Sequence, residues 1–327
     1  MAAEEVKSFP GLPKSLINYR NFDKKTFNKF ADLVEESERW SYCLQYFDIL
    51  YKSFGEEGMV FITAVEEETK KPMGCIVGTF WKNQKGEKAL FTIGTFFIIA
   101  EYRGKGLGNY LFDTLYREGL KYNIPLYLCS VAKMSQKYCE KYGFNLFRDY
   151  KCTAYSPKCT DFVKKTDISL PTHKVWNHTE FAEWDKLLQF DLQLSNGVVD
   201  RLNYLKNWFD GSLYTGIVTN EKDQVVGYAS VQECLNNVLS VGPLYAESKD
   251  VVHLLVNKIL ENVDLTKYTE LRFKAFTCNT DIKDLLIEYT DGNINYLADC
   301  TLQFAISSIP TEEKYLHCIV DLAQNFI

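Results

Sequence analysis

A stretch in the first third of the chain sets alternating glycines between an apolar run and an amphipathic one. Residues 96–99 are apolar without a break, as expected of a strand that is buried on both faces. Gly104, Gly106 and Gly108 come next. From Leu107 the apolar residues recur at helical spacing, so the order predicts a strand, a tight turn and a helix. The free N–H groups at such a helix start, together with the positive end of the helix dipole, favour an anion.

The spacing of these glycines excludes two common phosphate-binding patterns. A P-loop needs four residues between its first Gly and a Gly-Lys-Ser/Thr, which this stretch does not contain. The dinucleotide fingerprint would need Gly at the position of Asn109. What remains is Arg103-x-x-Gly106-x-Gly108. A glycine-rich turn that only joins a strand to a helix is the simpler alternative.

The remaining pattern resembles the pyrophosphate loop of the GCN5-related N-acetyltransferases, the GNAT superfamily, whose signature is Gln/Arg-x-x-Gly-x-Gly/Ala. In that family the loop amides hold the pyrophosphate of acetyl-CoA, and the strand before the loop pairs with the pantetheine arm. The resemblance therefore implies an acetyl-CoA site formed by these residues: Phe96, Phe97, Ile98, Arg103, Gly104, Lys105, Gly106, Leu107, Gly108 and Asn109.

The order of elements predicted around the loop is similar to the GNAT fold over about residues 14–156. The chain enters through helices, with few strands, and three strands then lead to the loop. A helix, a strand, a helix and a last strand follow, and residues 150–155 are expected to close the sheet. In that fold the strand before the loop and the strand at residues 126–131 splay apart at a bulge. The predicted helices are 21–38, 42–51, 107–122 and 133–142, and the predicted strands are 59–65, 75–81, 89–99, 125–131 and 150–155.

The second half of the chain repeats this order in degenerate form, with predicted helices at 179–194, 200–210, 249–263 and 282–289 and predicted strands at 214–219, 225–234, 238–241 and 270–277. We predict a GNAT acetyltransferase domain at residues 1–156, a polar linker at 157–169 and a degenerate GNAT-like domain at 170–327. The equivalent turn, residues 242–246, lacks the Arg and the alternating glycines, and Pro243 has no N–H to donate. The second copy is therefore not expected to bind CoA.

This tandem arrangement resembles GNAT proteins with a degenerate YitH-like second domain, which is thought to shape the acceptor cleft or the assembly. A mere packing partner is the alternative. The predicted fold class is α/β (α+β), with two acyl-CoA N-acyltransferase domains, each a mixed, mostly antiparallel sheet flanked by helices.

Two neighbouring residues of the helix at 133–142 are the candidate catalytic acids. Family members often have Ala-x-x-Leu-Tyr-x-Lys-x-Gly-Phe here, and their Tyr frequently reprotonates the departing CoA thiolate. In this chain that position is Cys139, and the tyrosine has moved to Tyr138. Packing without a catalytic role is the alternative for both residues.

Two further positions depart from the family pattern. The Asn that often opens this helix corresponds to Ala132, and the strand before the loop offers Thr92 and Thr95 but no carboxylate as a general base. We assign no base.

Composition limits the remaining classes of function. A chain of 327 residues favours two domains, and its net charge of −6 argues against nucleic-acid binding. Ten cysteines without Cys-x-x-Cys pairs and four histidines favour neither a disulfide framework nor a metal site. With no signal-peptide pattern and no apolar run of membrane-spanning length, the cytoplasm is the expected location.

The resemblance implies an N-acetyltransferase in which an amine attacks the thioester of acetyl-CoA directly, without a metal. The acceptor stays open between a small amine, an amino sugar, an amino acid and a protein lysine, and an oligomer is possible. Two alternatives remain: a non-catalytic acyl-CoA-binding or sensing protein, and a scaffold whose two copies bind only other proteins.

Overall fold

The structure is a computed structural model and describes residues 3–165 and 168–327. The α-helices of the described residues are α1 (Lys24–Glu38), α2 (Tyr46–Gly58), α3 (Leu107–Leu120), α4 (Ala132–Tyr142), α5 (Trp184–Leu194), α6 (Leu202–Asp210), α7 (Lys249–Asn262) and α8 (Asp281–Tyr289). The strands are β1 (Ala3–Lys7), β2 (Ser15–Tyr19), β3 (Met59–Glu66), β4 (Pro72–Lys82), β5 (Lys88–Ile98), β6 (Leu126–Val131), β7 (Leu146–Tyr155), β8 (Lys174–Asn177), β9 (Tyr214–Thr219), β10 (Val225–Cys234), β11 (Val238–Ala246), β12 (Glu270–Phe276), β13 (Tyr296–Ala305) and β14 (Leu316–Cys318).

All of these strands belong to one twisted sheet that runs through both halves of the chain. Its order is β1-β2-β3-β4-β5-β6-β13-β7-β12-β14-β11-β10-β9-β8. In addition, β11 and β12 pair directly over part of their length. All pairs are antiparallel except for two, β5 with β6 and β11 with β12. In each pair a helix, α3 or α7, connects the two strands. The mixed, mostly antiparallel sheet and the repeated order of elements confirm the predicted fold class.

The two halves exchange their last long strands. Strand β13 lies beside β6, with Cys300 opposite Val131, and β7 lies beside β12, with Tyr155 opposite Phe273. The expectation that residues 150–155 close the first sheet is therefore wrong, because a strand of the second half occupies that place. Local sequence pattern specifies a strand but not its neighbour. The boundaries at 156 and 169 stay a prediction.

A β-hairpin precedes the first helix, where the sequence predicted few strands. Strands β1 and β2 pair from Ala3 opposite Tyr19 to Lys7 opposite Ser15, and β2 continues the sheet onto β3. The alternation of charged and apolar residues in β1 is too short to stand out. Strand β8 was likewise missed, and α5 begins at Trp184, five residues after the predicted start.

The predicted start of the first helix is close to the observed one. Asp23 caps α1, and its carboxylate accepts hydrogen bonds from the backbone N–H groups of Lys25 at 3.3 Å and Thr26 at 2.9 Å. The helix ends at Glu38, and the capping residue that follows, Arg39, has a left-handed φ of 56°. Its apolar stripe, which includes Phe27 and Val34, is buried as expected.

Alternate residues of each central strand face two different layers. In β3, Met59 and Phe61 face the layer of α1, α2, α5 and α6, whereas Val60 and Ile62 face the layer of α3 and α4. The first of these layers is a single core built by both halves, and we call it the shared core. On the opposite side of the sheet, α3 and α4 cover the first half, and α7 and α8 cover the second. The second half thus contributes helices to the core that covers one side of the first half's strands.

Candidate active site

Strands β5 and β6 separate shortly after they meet. They pair from Phe91 opposite Leu126 to Ile93 opposite Leu128, and no further pairs are formed beyond that point in the described residues. At the same place β5 shifts its register against β4, and Thr95 takes a left-handed φ of 48°. A bulge of this kind bends one strand away from its neighbour. The result is a gap between the end of β5 and the end of β6.

The backbone at the end of β5 points alternately to β4 and to this gap. Ile99 donates its N–H to the carbonyl of Met73 at 3.0 Å, which sets the alternation. The backbone groups of Phe96 and Ile98 consequently face away from β4, toward the gap. Arg103 Nε donates to the carbonyl of Ile98 at 2.7 Å, so this acceptor is already in use. The remaining groups offer an unpaired strand edge to an amide-bearing chain.

The side chains of the same strand residues line different layers. Phe96 is half-buried and packs edge-on against Phe112 of α3, with ring centroids 5.5 Å apart. Phe97 is buried in the shared core, and Ile98 is buried under α3 and α4. Phe97 therefore takes part in packing through its side chain, whatever its backbone binds.

The glycine loop lies at the open end of the gap. Gly104 and Gly106 have left-handed φ values of 78° and 96°, which glycine adopts without strain. A Cβ on Gly108 would lie 3.2 Å from Ile98 Cγ1, so glycine allows α3 to approach β5 closely. The side chains of Lys105 and Asn109 are exposed, whereas Leu107 is fully buried.

The amides of this loop form a cluster without partners. Helix α3 begins at Leu107, and its capping residue Gly106 has no side chain to accept a hydrogen bond. The first bond of this helix runs from Tyr110 N–H to Gly106 O at 3.0 Å. From Gly104 to Asn109, no backbone N–H donates to another group within the described part of the chain. A small volume with several bare N–H groups at a helix start is an anion site.

Arg103 ties this loop to the rest of the first half. Its Nη2 donates to Glu38 Oε1 at the end of α1, at 3.0 Å, and its guanidinium lies 5.6 Å from the ring centre of Phe97. The ion pair is largely exposed and stabilises the fold by at most about 1 kcal/mol. The pair connects the loop to the end of α1.

The hairpin of β1 and β2 forms a wall beside the loop, which the sequence analysis missed. Phe9 lies 3.6 Å from the position of a Cβ on Gly106. Glu5 accepts hydrogen bonds from the hydroxyls of Tyr19 at 3.0 Å and Tyr110 at 2.9 Å. The Lys7 ammonium and these two hydroxyls lower the pKa of the Glu5 carboxyl. In the sequence, the only indication of this hairpin is the short alternation of charged and apolar residues in β1.

The two candidate acids have different surroundings on α4. Tyr138 is 8% exposed, and its ring stacks on Phe112 with centroids 5.0 Å apart. Because Phe112 also contacts Phe96, this places Tyr138 one ring away from the edge of the gap. Burial raises the pKa of Tyr138, so its hydroxyl keeps its proton. Cys139 is a half-buried free thiol on the next position of the helix.

In the second half, the corresponding gap is filled by the chain itself. Strands β11 and β12 pair from Val238 opposite Glu270 to Val241 opposite Phe273 and then separate. Strand β14 lies between them, and its Cys318 pairs with both neighbours. The sequence analysis did not predict β14. It occupies the strand edges that β5 and β6 leave open in the first half.

The segment that follows β14 packs against strands β4 and β5 of the first half. Gln324 Oε1 accepts hydrogen bonds from the hydroxyls of Thr79 at 3.1 Å and Thr92 at 3.0 Å. Gly94 is glycine because a Cβ there would collide with the backbone of Ala323. Thr92, one of the two threonines that β5 offers where no carboxylate is present, is thus bound to this segment. No local pattern in the sequence indicates this contact.

The second half also holds the loop between α1 and α2. Leu44 donates its N–H to the carbonyl of Glu233 at 3.0 Å, and Leu235 donates to the carbonyl of Tyr42 at 3.1 Å. Below them, Arg272 binds Glu35 at 3.1 Å, and both side chains are buried. This loop covers the shared-core side of the sheet next to the gap.

Two further classes of site are absent from the described residues. No helix there combines the length and apolar character needed to cross a bilayer. Nor do His, Cys, Asp and Glu side chains gather there in groups of three or more that could hold a metal ion. All ten cysteines have free thiols.

Comparisons with known proteins match both halves. A family model described as "Acetyltransferase (GNAT) family" matches residues 27–144, and another described as "Acetyltransferase (GNAT) domain" matches residues 191–289. An uncharacterized protein of Caenorhabditis elegans is 23% identical over 184 residues, and the match spans 55% of this chain and 55% of that protein. The chain therefore spans about half the length of the curated relative that it matches.

Among solved structures, two that resemble this chain match 90% or more of its length. A putative acetyltransferase from Pyrococcus horikoshii has a TM-score of 0.69 at 16% identity and covers 99% of each chain. A tandem GNAT protein from the clavulanic acid biosynthesis pathway has a TM-score of 0.60 at 12% identity and covers 90% of this chain and 100% of its own. At these identities the likeness concerns the fold. Together with the two family models, it shows that the chain belongs to the GNAT superfamily, as a tandem of two GNAT domains.

Proposed function

We propose that this protein is an N-acetyltransferase that binds one acetyl-CoA in its first half and transfers the acetyl group to an amine. The observation that carries the proposal is the cluster of bare amides from Gly104 to Asn109 at the mouth of the gap between β5 and β6. A diphosphate fits the amides, and a pantetheine arm fits the exposed edge of β5. The cofactor-binding residues of the proposal are the ten that the family resemblance implies, except that Phe97 turns its backbone to β4 and its side chain to the shared core.

The reaction in this proposal is direct transfer. The neutral amine attacks the thioester carbonyl, and the proton that it loses ends on the CoA sulfur. Two observations support Tyr138 as the proton donor. Its hydroxyl keeps its proton, and its ring contacts Phe112, which packs on Phe96. Cys139, the other predicted acid, stays a candidate. In this proposal the acceptor is a small-molecule amine or a lysine side chain. The protein is proposed to act in the cytosol.

We propose that the second half shapes the acceptor side and binds no CoA. Its own strand β14 fills the gap in which a second pantetheine would lie. Its contacts with residues 42 and 44 fix the loop between α1 and α2. A second half that only packs against the first would not need to hold this loop by backbone hydrogen bonds.

One pair of glycines allows a matched test of the CoA site. Gly104 and Gly86 both have a φ of 78°, and a Cβ on either would meet no atom within 4 Å. The variants Gly104→Val and Gly86→Val therefore carry equal backbone strain, but only the first places a side chain in the loop. Titration calorimetry with acetyl-CoA should show a loss of at least about ten-fold in affinity for Gly104→Val, which corresponds to the one or two lost amide contacts.

Gly86→Val is expected to bind acetyl-CoA like the parent protein. Equal affinities for the two variants would contradict the assignment of the loop. Circular dichroism and melting curves of both variants separate a binding defect from a folding defect.

A non-catalytic acyl-CoA-binding protein remains the second candidate. It is favoured by the lack of a carboxylate in β5, where Thr92 instead donates to the neutral amide of Gln324. Tight acetyl-CoA binding without turnover on a broad panel of amines would select this candidate. Turnover of any amine by the purified protein would exclude it.

A further inference from the structure

Thr95 is the most constrained residue of the gap. It is a β-branched residue with a left-handed φ of 48°, a conformation that such residues rarely adopt. It lies in the region where β5 shifts its register against β4. In the same region, the pairing of β5 with β6 has ended. Its carbonyl accepts a weak hydrogen bond from Cys75 Sγ at 3.5 Å, which directs this part of the backbone to the shared core. Strain of this kind persists where the surrounding structure enforces it.

Tyr42 reaches the same point from the loop between α1 and α2. Its ring packs against Tyr46, with centroids 5.2 Å apart, and its backbone carbonyl is fixed by Leu235 of the second half. Its hydroxyl is close enough to that of Thr95 for Thr95 to influence its pKa, but the two do not meet the geometry of a hydrogen bond. Contacts from both halves of the chain therefore hold this hydroxyl at the shared-core side of the gap.

Both hydroxyls are buried and have no hydrogen-bond partner. Tyr42 is 4% exposed and Thr95 is 3% exposed, and neither the Tyr42 hydroxyl nor Thr95 Oγ1 makes a hydrogen bond with a described residue. A buried hydroxyl without a partner costs free energy, and native proteins keep few of them. Two such groups at the strained end of one gap point to a ligand atom that would satisfy both.

On the basis of the proposed function, we propose that the hydroxyls of Tyr42 and Thr95 donate hydrogen bonds to the carbonyl oxygen of the bound thioester. This oxygen is the acceptor that enters the gap with the acyl group, next to the bulge at Thr95. When the amine nitrogen bonds to the carbonyl carbon, the C=O electron pair moves to oxygen, and the two donors stabilise that charge. The C–S bond then breaks and the C=O bond reforms.

The balance of this step needs no other reactant. The nitrogen gives up one proton and the sulfur takes up one, so an amine and a thioester become an amide and a thiol. Tyr42 and Thr95 exchange no proton, and they only donate hydrogen bonds. Burial raises the pKa of Tyr42 well above its ordinary value, and the nearby Thr95 hydroxyl, which lowers it, offsets only part of this. The tyrosine is thus a donor throughout the neutral range.

Cys129 of β6 is a further polar side chain near the gap, and it is a poorer donor. It is half-buried, and the nearby Cys300 thiol on the neighbouring strand, together with burial, raises its pKa. A thiol is also a weaker hydrogen-bond donor than a hydroxyl. The two oxygen donors therefore carry the proposal.

The chain offers matched controls for each of the two hydroxyls. Tyr289 and Thr215, both in the second half, are buried and have hydroxyls without partners. The variants Tyr42→Phe and Thr95→Val remove only the proposed donors and keep the shape of each side chain. Tyr289→Phe and Thr215→Val make the same chemical changes away from the gap.

The test is difference infrared spectroscopy of acetyl-CoA that is isotope-labelled at its thioester carbonyl carbon and bound to each protein. Hydrogen bonds weaken the C=O bond, so the bound carbonyl band of the parent protein should lie at low frequency. Tyr42→Phe and Thr95→Val should each shift it to higher frequency, and the double variant should shift it further. Tyr289→Phe and Thr215→Val should leave it in place.

Calorimetry gives a second readout from the same samples. The ratio of affinities for acetyl-CoA and free CoA should fall by roughly five-fold for each lost donor, the equivalent of one net hydrogen bond. An unmoved band and an unchanged ratio in Tyr42→Phe and Thr95→Val, with acetyl-CoA still bound, would overturn this inference alone. If the parent protein binds no acetyl-CoA, the proposed function itself fails.

Discussion

Tyr138 and Cys139 are consecutive residues of α4, and their side chains point in different directions. Consecutive helical residues point about 100° apart, so only one of the two faces the ring of Phe112. The sequence pattern aligned the family's acid with Cys139, whereas the structure packs Tyr138 toward the side of the gap. The partner ring belongs to another helix, α3, and spacing along α4 contains no information about it.

This difference predicts how the two residues respond to substitution. Tyr138→Phe should lower kcat by roughly 100-fold, the usual share of one general acid, and leave acetyl-CoA affinity unchanged. Cys139→Ala should keep most of the activity. The measurement is steady-state kinetics with an amine that the acceptor panel identifies.

The pH profile checks the same assignment. Because burial raises the pKa of Tyr138, the residue should stay protonated above pH 10, the ordinary value for tyrosine. The rate should then not fall on the alkaline side below that pH. A fall that begins well below pH 10, or a larger loss in Cys139→Ala than in Tyr138→Phe, would contradict the role of Tyr138.

At the scale of elements, most helices and strands could be predicted, because each has its own apolar period. β9 and β10 occur at the predicted bounds, and β5 and α3 flank the loop as expected. The elements that were missed, β1, β2, β8 and β14, are five residues or shorter. Short strands of this kind form because a neighbouring edge is available, and the sequence of the strand alone does not reveal that edge.

The loop between α1 and α2 depends on an ion pair that only the fold creates. Glu35 of α1 and Arg272 of β12 are 2% and 4% exposed, and Arg272 also donates to Ser41 Oγ at 2.6 Å. Removing one partner of a buried pair leaves the other charge uncompensated. The pair therefore connects the acceptor-side loop to the second half.

We expect Glu35→Gln to lower the free energy of unfolding by about 3 kcal/mol, as for other broken buried pairs. Hydrogen–deuterium exchange at residues 39–45 should increase at the same time, because the loop loses its support. Glu118→Gln, which removes an exposed partner of Lys121, is the control and should cost less than about 1 kcal/mol. Urea unfolding and exchange mass spectrometry measure the two effects. Equal costs for the two variants would show that the buried pair does not support the loop.

At the scale of the whole molecule, two degenerate copies of one fold form a single sheet. Each copy is completed by the other's last long strand, and the shared core contains helices of both. The repeat itself could be predicted from the order of elements. The exchange could not, because β7 and β13 have similar patterns, and either one satisfies the edge of β6.

The same pairing logic accounts for the difference between the two gaps. In the second half, β14 pairs with the strand edges that separate, and the turn at residues 242–246 has no alternating glycines. In the first half, the corresponding edges are open and end at the bare amides of the glycine loop. The account therefore requires one CoA per chain.

A crystal structure of the protein grown with CoA tests this claim most directly. We predict one CoA per chain, with its pyrophosphate on the amides between Gly104 and Asn109 and its pantetheine arm along Phe96 and Ile98. Density for CoA in the second half, or anywhere away from the glycine loop, would contradict the account.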